Sequence, residues 1–295
     1  MSKAGAVRVA LIGYGEVGRA LASDLAPRLA APPAAWDRLF REPHSGPSRT
    51  VRADGNAVAA ASMAEAIGGR ELVISAVTAG ECLAAAREAA GALQPGAWYF
   101  DLNSVAPQTK REAAELIGAA GGRYIEAAVM SPIHPKRSAA PMLIGGPHAR
   151  EFVPLAVELG FVGASFCSDR LGTAAASKMC RSVIIKGLEA LLTEALLAAR
   201  RYGVDEAVLN SLYDLLPAKD WPALARYMIA RSVQHGIRRA EEMEQVALTV
   251  AGAGLEPWMS RATVERQRWA AEFQTALGAE MLGPFLDLML EGIPQ

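Results

Sequence analysis

Residues 6–12, Ala-Val-Arg-Val-Ala-Leu-Ile, form a short and mostly apolar run with β-branched members, the pattern of a strand covered on both faces. The period then changes. Val17, Ala20, Leu21 and Leu25 recur at helical spacing, and Pro27 closes the segment. Further apolar runs at 35–40, 72–77, 98–102, 124–129 and 142–144 predict strands. Helical patterns at 62–67, 81–90, 107–116 and 149–159 alternate with most of them. This alternation predicts an α/β domain built on a mostly parallel, doubly wound sheet. The polar, proline-rich stretch 43–52 predicts an irregular connection.

Near residue 168 the character changes, and no convincing strand follows. Residues 174–201 read as one long helix rich in Ala, Leu and Ile, and shorter helices follow, punctuated by Gly203, Pro217, Pro222, Gly236, Gly254, Pro257 and Pro284. The expected division is an α/β domain over 1–168 and an all-α domain over 169–295.

Composition narrows the function classes. Hydrophobic residues make up 52% and charged residues 21%, which fits a folded globular chain and not a disordered one. Thirty basic against thirty-one acidic side chains leave a net charge of −1, with no global field for nucleic acid or an anionic membrane. The expected partners are therefore small molecules. Cys82, Cys167 and Cys180, with four scattered histidines, argue against a disulfide scaffold or a clustered metal site. The first residues lack the pattern of a signal peptide, and Lys186, Glu189 and Glu194 interrupt the most apolar later stretch, so a cytoplasmic protein is expected.

Gly13-Tyr14-Gly15-Glu16-Val17-Gly18 follows the first strand directly and opens a helix, the setting in which a GxGxxG turn binds a dinucleotide. Gly13 permits the tight turn, Gly15 lets the backbone approach a pyrophosphate, and Gly18 lets helix and sheet pack closely. Tyr14, Glu16 and Val17 complete the turn. Glu16 suits the helix dipole but repels a pyrophosphate unless its side chain points to solvent. Asp37, at the end of the second strand, can accept hydrogen bonds from a ribose diol, which favours NAD. Arg38 and Arg41 could instead grip a 2′-phosphate if Asp37 turned away, so NADP stays open. Asp37 could also be an ordinary turn residue.

The turn, the run Asp101-Leu102-Asn103-Ser104-Val105-Ala106-Pro107 and the run Gly172 to Lys178 together resemble the β-hydroxyacid dehydrogenases, relatives of 6-phosphogluconate dehydrogenase. The stretch His235 to Met243 looks like an uncharacterised C-terminal branch of that family. The resemblance implies a Rossmann domain, a long interdomain helix, and a helical domain that often builds a homodimer, here through the faces of 174–201. It also implies oxidation of a hydroxy acid in a cleft between the domains. Val77 and Thr78 match the loop that lies along the cofactor, and Asn103 matches the polar residue near the nicotinamide ribose. Thr78 and Asn103 could instead be ordinary helix caps or turn formers.

Lys178 matches the family's catalytic lysine. Hydride transfer from an alcohol carbon requires the hydroxyl proton to leave, and an amine in a partly dry cleft can serve as its acceptor. Most members carry asparagines after this lysine, where this chain has Arg181 and Ser182, so a substrate with a second carboxylate or a phosphate is expected. The family's Ser-Gly-Gly substrate loop appears as Ser131-Pro132-Ile133, and Pro132 has no amide to offer. The family's Lys-Asp pair falls on Glu241-Glu242, leaving His235 or Arg239 to take that role. His134 and Arg137 lie in the proline-rich loop after Ser131. The leading expectation is an NAD(P)-dependent oxidoreductase acting on a 3-hydroxy acid. Alternatives are an imine reductase-like enzyme and a non-catalytic dinucleotide sensor.

Overall fold

The computed structural model describes residues 6–214 and 218–293. The chain divides into two compact units, Met1–Met179 and Cys180–Gln295. In the first, eight strands run β1 (Val9–Ile12), β2 (Ala34–Trp36), β3 (Val58–Ala59), β4 (Leu72–Ser75), β5 (Trp98–Asp101), β6 (Arg123–Val129), β7 (Met142–Gly145) and β8 (Ala164–Ser168). They form one sheet in the order β3-β2-β1-β4-β5-β6-β7-β8, parallel throughout except where β7 runs against β6. The helices are α1 (Glu16–Leu25), α2 (Gly46–Asp54), α3 (Met63–Ile67), α4 (Cys82–Ala90), α5 (Pro107–Ala119) and α6 (Ala149–Glu158), followed by the start of α7 (Thr173–Tyr202).

Strand alternation builds two cores, one on each sheet face. Val9 and Leu11 of β1 join one cluster with Leu21 and Leu25 of α1 and Phe152 of α6. Ala10 and Ile12 join the other with Met63 and Ile67 of α3, Ala86 and Ala89 of α4, and Ile117 of α5. Each central strand is buried on both sides, which is why these runs read as nearly continuous apolar segments.

The second unit is helical over its described residues: α7 from residue 180, α8 (Asp205–Ser211), α9 (Trp221–Gly252), α10 (Trp258–Ala270) and α11 (Leu282–Glu291). Its core gathers Leu192, Leu196, Trp221, Ile229, Val233, Phe273 and Phe285.

Several elements differ from the sequence pattern. Most of the stretch 43–52, expected to be irregular, lies in α2, which is helical over Gly46–Asp54. Ser45 caps α2 by accepting from the Ser48 amide, Pro47 lies in the first turn, and Gly55 closes the helix in the left-handed region. The second strand stops at Trp36, because the Asp37 side chain caps a 3₁₀ turn over Arg38–Arg41. β3 is two residues long, and β8 is an edge strand in which small and polar residues flank Phe166; neither carries the apolar run used to find strands. The punctuation expected at Gly236 appears one residue earlier, where α9, 32 residues long, is kinked at His235 (φ −126°, ψ 15°). Gly236, just after the kink, also has a packing role. A Cβ there would sit 2.2 Å from the Gln267 carbonyl oxygen, so the glycine lets α10 pack closely. Pro222 and Pro284 fall in first turns, where proline is tolerated. Pro217 lies outside the described residues. No helix among the described residues is long and apolar enough to cross a membrane.

Candidate active site

The order of the strands reverses at β1, flanked by β2 and β4, and the crevice outside the carboxyl ends of such strands is where doubly wound sheets take ligands. The glycine turn occupies it. Gly13 has φ +91°, and a Cβ there would lie 2.4 Å from the Ala76 carbonyl oxygen; a Cβ on Gly18 would lie 2.0 Å from the Gly13 carbonyl oxygen. The chain itself demands both glycines. Gly15 is different: it is exposed, and a Cβ on it would meet nothing within 4 Å. Nothing in the polypeptide excludes a side chain there, and a glycine leaves the backbone open to close approach from outside. No side chain caps α1, so its first amides point into the same open space. Both observations fit a pyrophosphate. Glu16 is exposed and Val17 half-buried, whereas the Tyr14 ring is buried in the sheet core, so only its backbone faces the turn.

Asp37 is tied in place. One carboxylate oxygen accepts from the Tyr14 amide at 2.8 Å and the other from the Leu39 amide at 2.9 Å. Arg38 forms an ion pair with Glu81 at 2.9 Å. Thr78 is exposed and its hydroxyl makes no cap. Asn103 links two loops: its Oδ1 accepts from the Val77 amide at 2.7 Å and its Nδ2 donates to Ser75 Oγ at 3.0 Å. The Asn103 amide in turn donates to Asp101 at 2.8 Å. Asp101 is buried and paired with Lys110 at 3.0 Å, and it accepts from the Tyr124 hydroxyl at 2.6 Å. Burial, then Asp101, pushes both the Tyr124 hydroxyl and the neighbouring Cys82 thiol well above their usual ranges, so neither ionises near neutrality.

Lys178 comes to this edge of the sheet. Its Nζ donates to Ser104 Oγ at 2.5 Å, and Ser104 directly follows Asn103. The helix that carries the lysine is anchored by a buried acid. Glu126 on β6 accepts from the Gly172 amide at 2.6 Å and the Ala175 amide at 2.5 Å, one carboxylate oxygen to each. It thus satisfies two of the amides that a helix start leaves open and sets a negative charge against the positive end of the dipole.

Residues 8–152 match the model of the NAD binding domain of 6-phosphogluconate dehydrogenase, and residues 199–275 match a domain of unknown function, DUF1932. The chain is 34% identical to a conserved hypothetical protein from Sinorhizobium meliloti, over 97% of both chains, with a TM-score of 0.76. It belongs to the β-hydroxyacid dehydrogenase family, in its 6-phosphogluconate dehydrogenase-like branch. A second relative is 32% identical over 90% of this chain and 98% of its own, with a TM-score of 0.67. It is a conserved protein of unknown function described as structurally similar to 3-hydroxyacid dehydrogenases. The 3-hydroxyisobutyrate dehydrogenase of Mycobacterium tuberculosis, solved with L-serine, shares the fold at 15% identity, over 98% of this chain and 99% of its own, with a TM-score of 0.67.

The remaining candidate residues lie in both units. Ser131, half-buried after β6, donates to the Pro132 carbonyl at 3.0 Å. His134 is exposed, while Arg137 is fastened to α1 through Asp24 at 2.9 Å and the Ala20 carbonyl at 2.9 Å. In the second unit Arg181 is exposed, Ser182 is buried, and His235 sits at the break in α9. Arg239 is buried in an ion pair with Glu189, which also accepts from Gln267 at 3.2 Å. Lys186 pairs with Glu242 at 2.5 Å, and burial pulls its ammonium below the usual range.

Sequence reasoning missed Glu126, Ser104 and the Asp101–Lys110 pair as supports of the site. For Glu126 a signal existed: a lone acid inside an apolar strand is costly unless it is bonded.

Proposed function

We propose that this protein is a nicotinamide-dependent dehydrogenase or reductase that interconverts a 3-hydroxy acid and its oxo form, with Lys178 moving the proton. The hydrogen bond from Lys178 to Ser104 carries this reading, because it holds an amine one residue from Asn103, at the loops that flank the dinucleotide crevice. The nicotinamide, when bound, supplies the hydride acceptor or donor. In the oxidation direction the Lys178 amine takes the hydroxyl proton, and in reduction the ammonium returns it to the carbonyl oxygen. Ser104 orients the amine. Ser131, a rotor that now donates to Pro132, is the proposed donor to the acid group of the substrate. Exposed Arg181 is proposed to recognise a second anionic group. Arg239 is left out of this reading because its guanidinium faces Glu189. NAD is the proposed cofactor, since Asp37 is fixed by two amides and does not turn away. A homodimer is also proposed, supported by Ile184 and Leu191, which are 70% and 55% exposed at a seven-residue interval on α7.

The test is a panel of hydroxy acids with NAD, followed by Lys178→Ala and Lys178→Met on the best substrate. Turnover is expected to fall by about two to four orders of magnitude, with the NADH dissociation constant unchanged within about twofold. Unchanged turnover removes Lys178 from the mechanism. Dinucleotide binding without turnover of any substrate favours a sensor.

A further inference from the structure

Arg38 and Glu81 follow β2 and β4, the two strands that flank β1 and its glycine turn. They are 43 residues apart in sequence, yet Arg38 Nη1 donates to Glu81 Oε1 at 2.9 Å. Both are accessible, with 65% and 39% of their side-chain surfaces exposed, so a ligand entering the crevice can compete for either one. Beside them Asp37 is pinned by the amides of Tyr14 and Leu39. Asp37 therefore offers its remaining lone pairs to hydroxyl donors and repels a dianionic phosphate. Arg38 is the cation next in sequence, and it is already engaged.

We propose that Glu81 is a specificity-determining residue: by holding Arg38 it denies a cation to the 2′-phosphate of NADP and leaves Asp37 to select the ribose diol of NAD. The inference rests on the dinucleotide-site reading and extends it to a residue outside the glycine motif. Two carboxylates flank this spot against one committed guanidinium. Arg41, three residues on, is exposed and makes no ion pair among the described residues, so its contribution must be separated from that of Arg38.

The experiment measures NADH and NADPH dissociation constants by titration calorimetry at fixed ionic strength, on the full chain and three variants. The wild type is expected to bind NADH more tightly. Glu81→Gln is expected to tighten NADPH by about three- to tenfold, the scale of one charge-assisted hydrogen bond at an exposed site, with NADH changed less than about twofold. Arg38→Gln alone is expected to leave NADPH nearly unchanged, and the double variant Arg38→Gln/Glu81→Gln is expected to lose the gain. A gain that survives in the double variant assigns the effect to plain charge removal or to Arg41 and overturns the proposal. Tighter binding of NADPH by the wild type, or an unchanged ratio in Glu81→Gln, also overturns it while leaving the dinucleotide site intact. Failure of the wild type to bind either dinucleotide overturns both.

Discussion

Glu126→Gln is the sharpest test of how the lysine-bearing helix is held. The substitution keeps the shape of a fully buried side chain but replaces one acceptor oxygen with an NH2 group. Either the Gly172 or the Ala175 amide then loses its acceptor. A buried donor left without a partner costs about 1–3 kcal/mol. Removing the charge at the helix start adds up to about 1–2 kcal/mol. The sum, about 2–5 kcal/mol, is large against a typical stability of about 5–15 kcal/mol. With a urea m-value of about 1–3 kcal/mol/M, the unfolding midpoint of the first unit is expected to fall by about 1 M or more. Hydrogen exchange at the Gly172 and Ala175 amides is expected to accelerate by at least about tenfold, because opening of this turn no longer breaks both bonds. Gly145→Ala should act on the same support, since a Cβ there would lie 3.0 Å from Glu126 Oε2. A midpoint within about 0.2 M of wild type for Glu126→Gln, with unchanged exchange at both amides, would show that the carboxylate does not hold the helix.

The three glycines of the turn separate structure from ligand. Gly18→Ala is expected to destabilise the first unit strongly because its Cβ meets a backbone oxygen, whereas Gly15→Val should leave thermal stability within about 1 kcal/mol and weaken NADH binding by about tenfold or more. Equal loss of stability in both variants would contradict this. Ile184→Glu/Leu191→Glu is expected to convert a dimer to a monomer by light scattering, and a wild-type chain that is already monomeric at micromolar concentration would remove the dimer.

The parts legible in the sequence were those whose physics is local. A glycine turn between an apolar run and a 3.6-residue period, or a strand buried on both faces, declares itself within ten residues. The α2 helix carried its signals too, Ser45, Pro47 and Gly55, but the density of Pro and polar residues hid them. The break beside Gly236 was legible, but the Gln267 carbonyl that requires a glycine there lies on another helix. The ion pair of Arg239 with Glu189, fifty positions away, is invisible without the fold. The partners of Glu126 and Asp101 were out of view for the same reason, since they come from α7 and α5, although a lone acid in an apolar strand already marked Glu126 as bonded.

Those two acids explain why the lysine and the serine meet. Asp101 and Glu126 stand in register on the neighbouring strands β5 and β6. Asp101 is neutralised by Lys110 and fixes the Asn103 amide, and so the loop that presents Ser104. Glu126 is neutralised by the start of α7 and fixes the helix that presents Lys178. Both ends of the Lys178–Ser104 hydrogen bond therefore trace to one rung of the sheet. Two like charges side by side in an apolar sheet are expensive unless each has its own counter-charge, and a single-residue slip of β6 would turn Glu126 to the opposite face. The cost of burying these acids is thus offset by their partners, and what remains is registry: the strand alignment that satisfies both carboxylates is also the one that brings the amine to the hydroxyl.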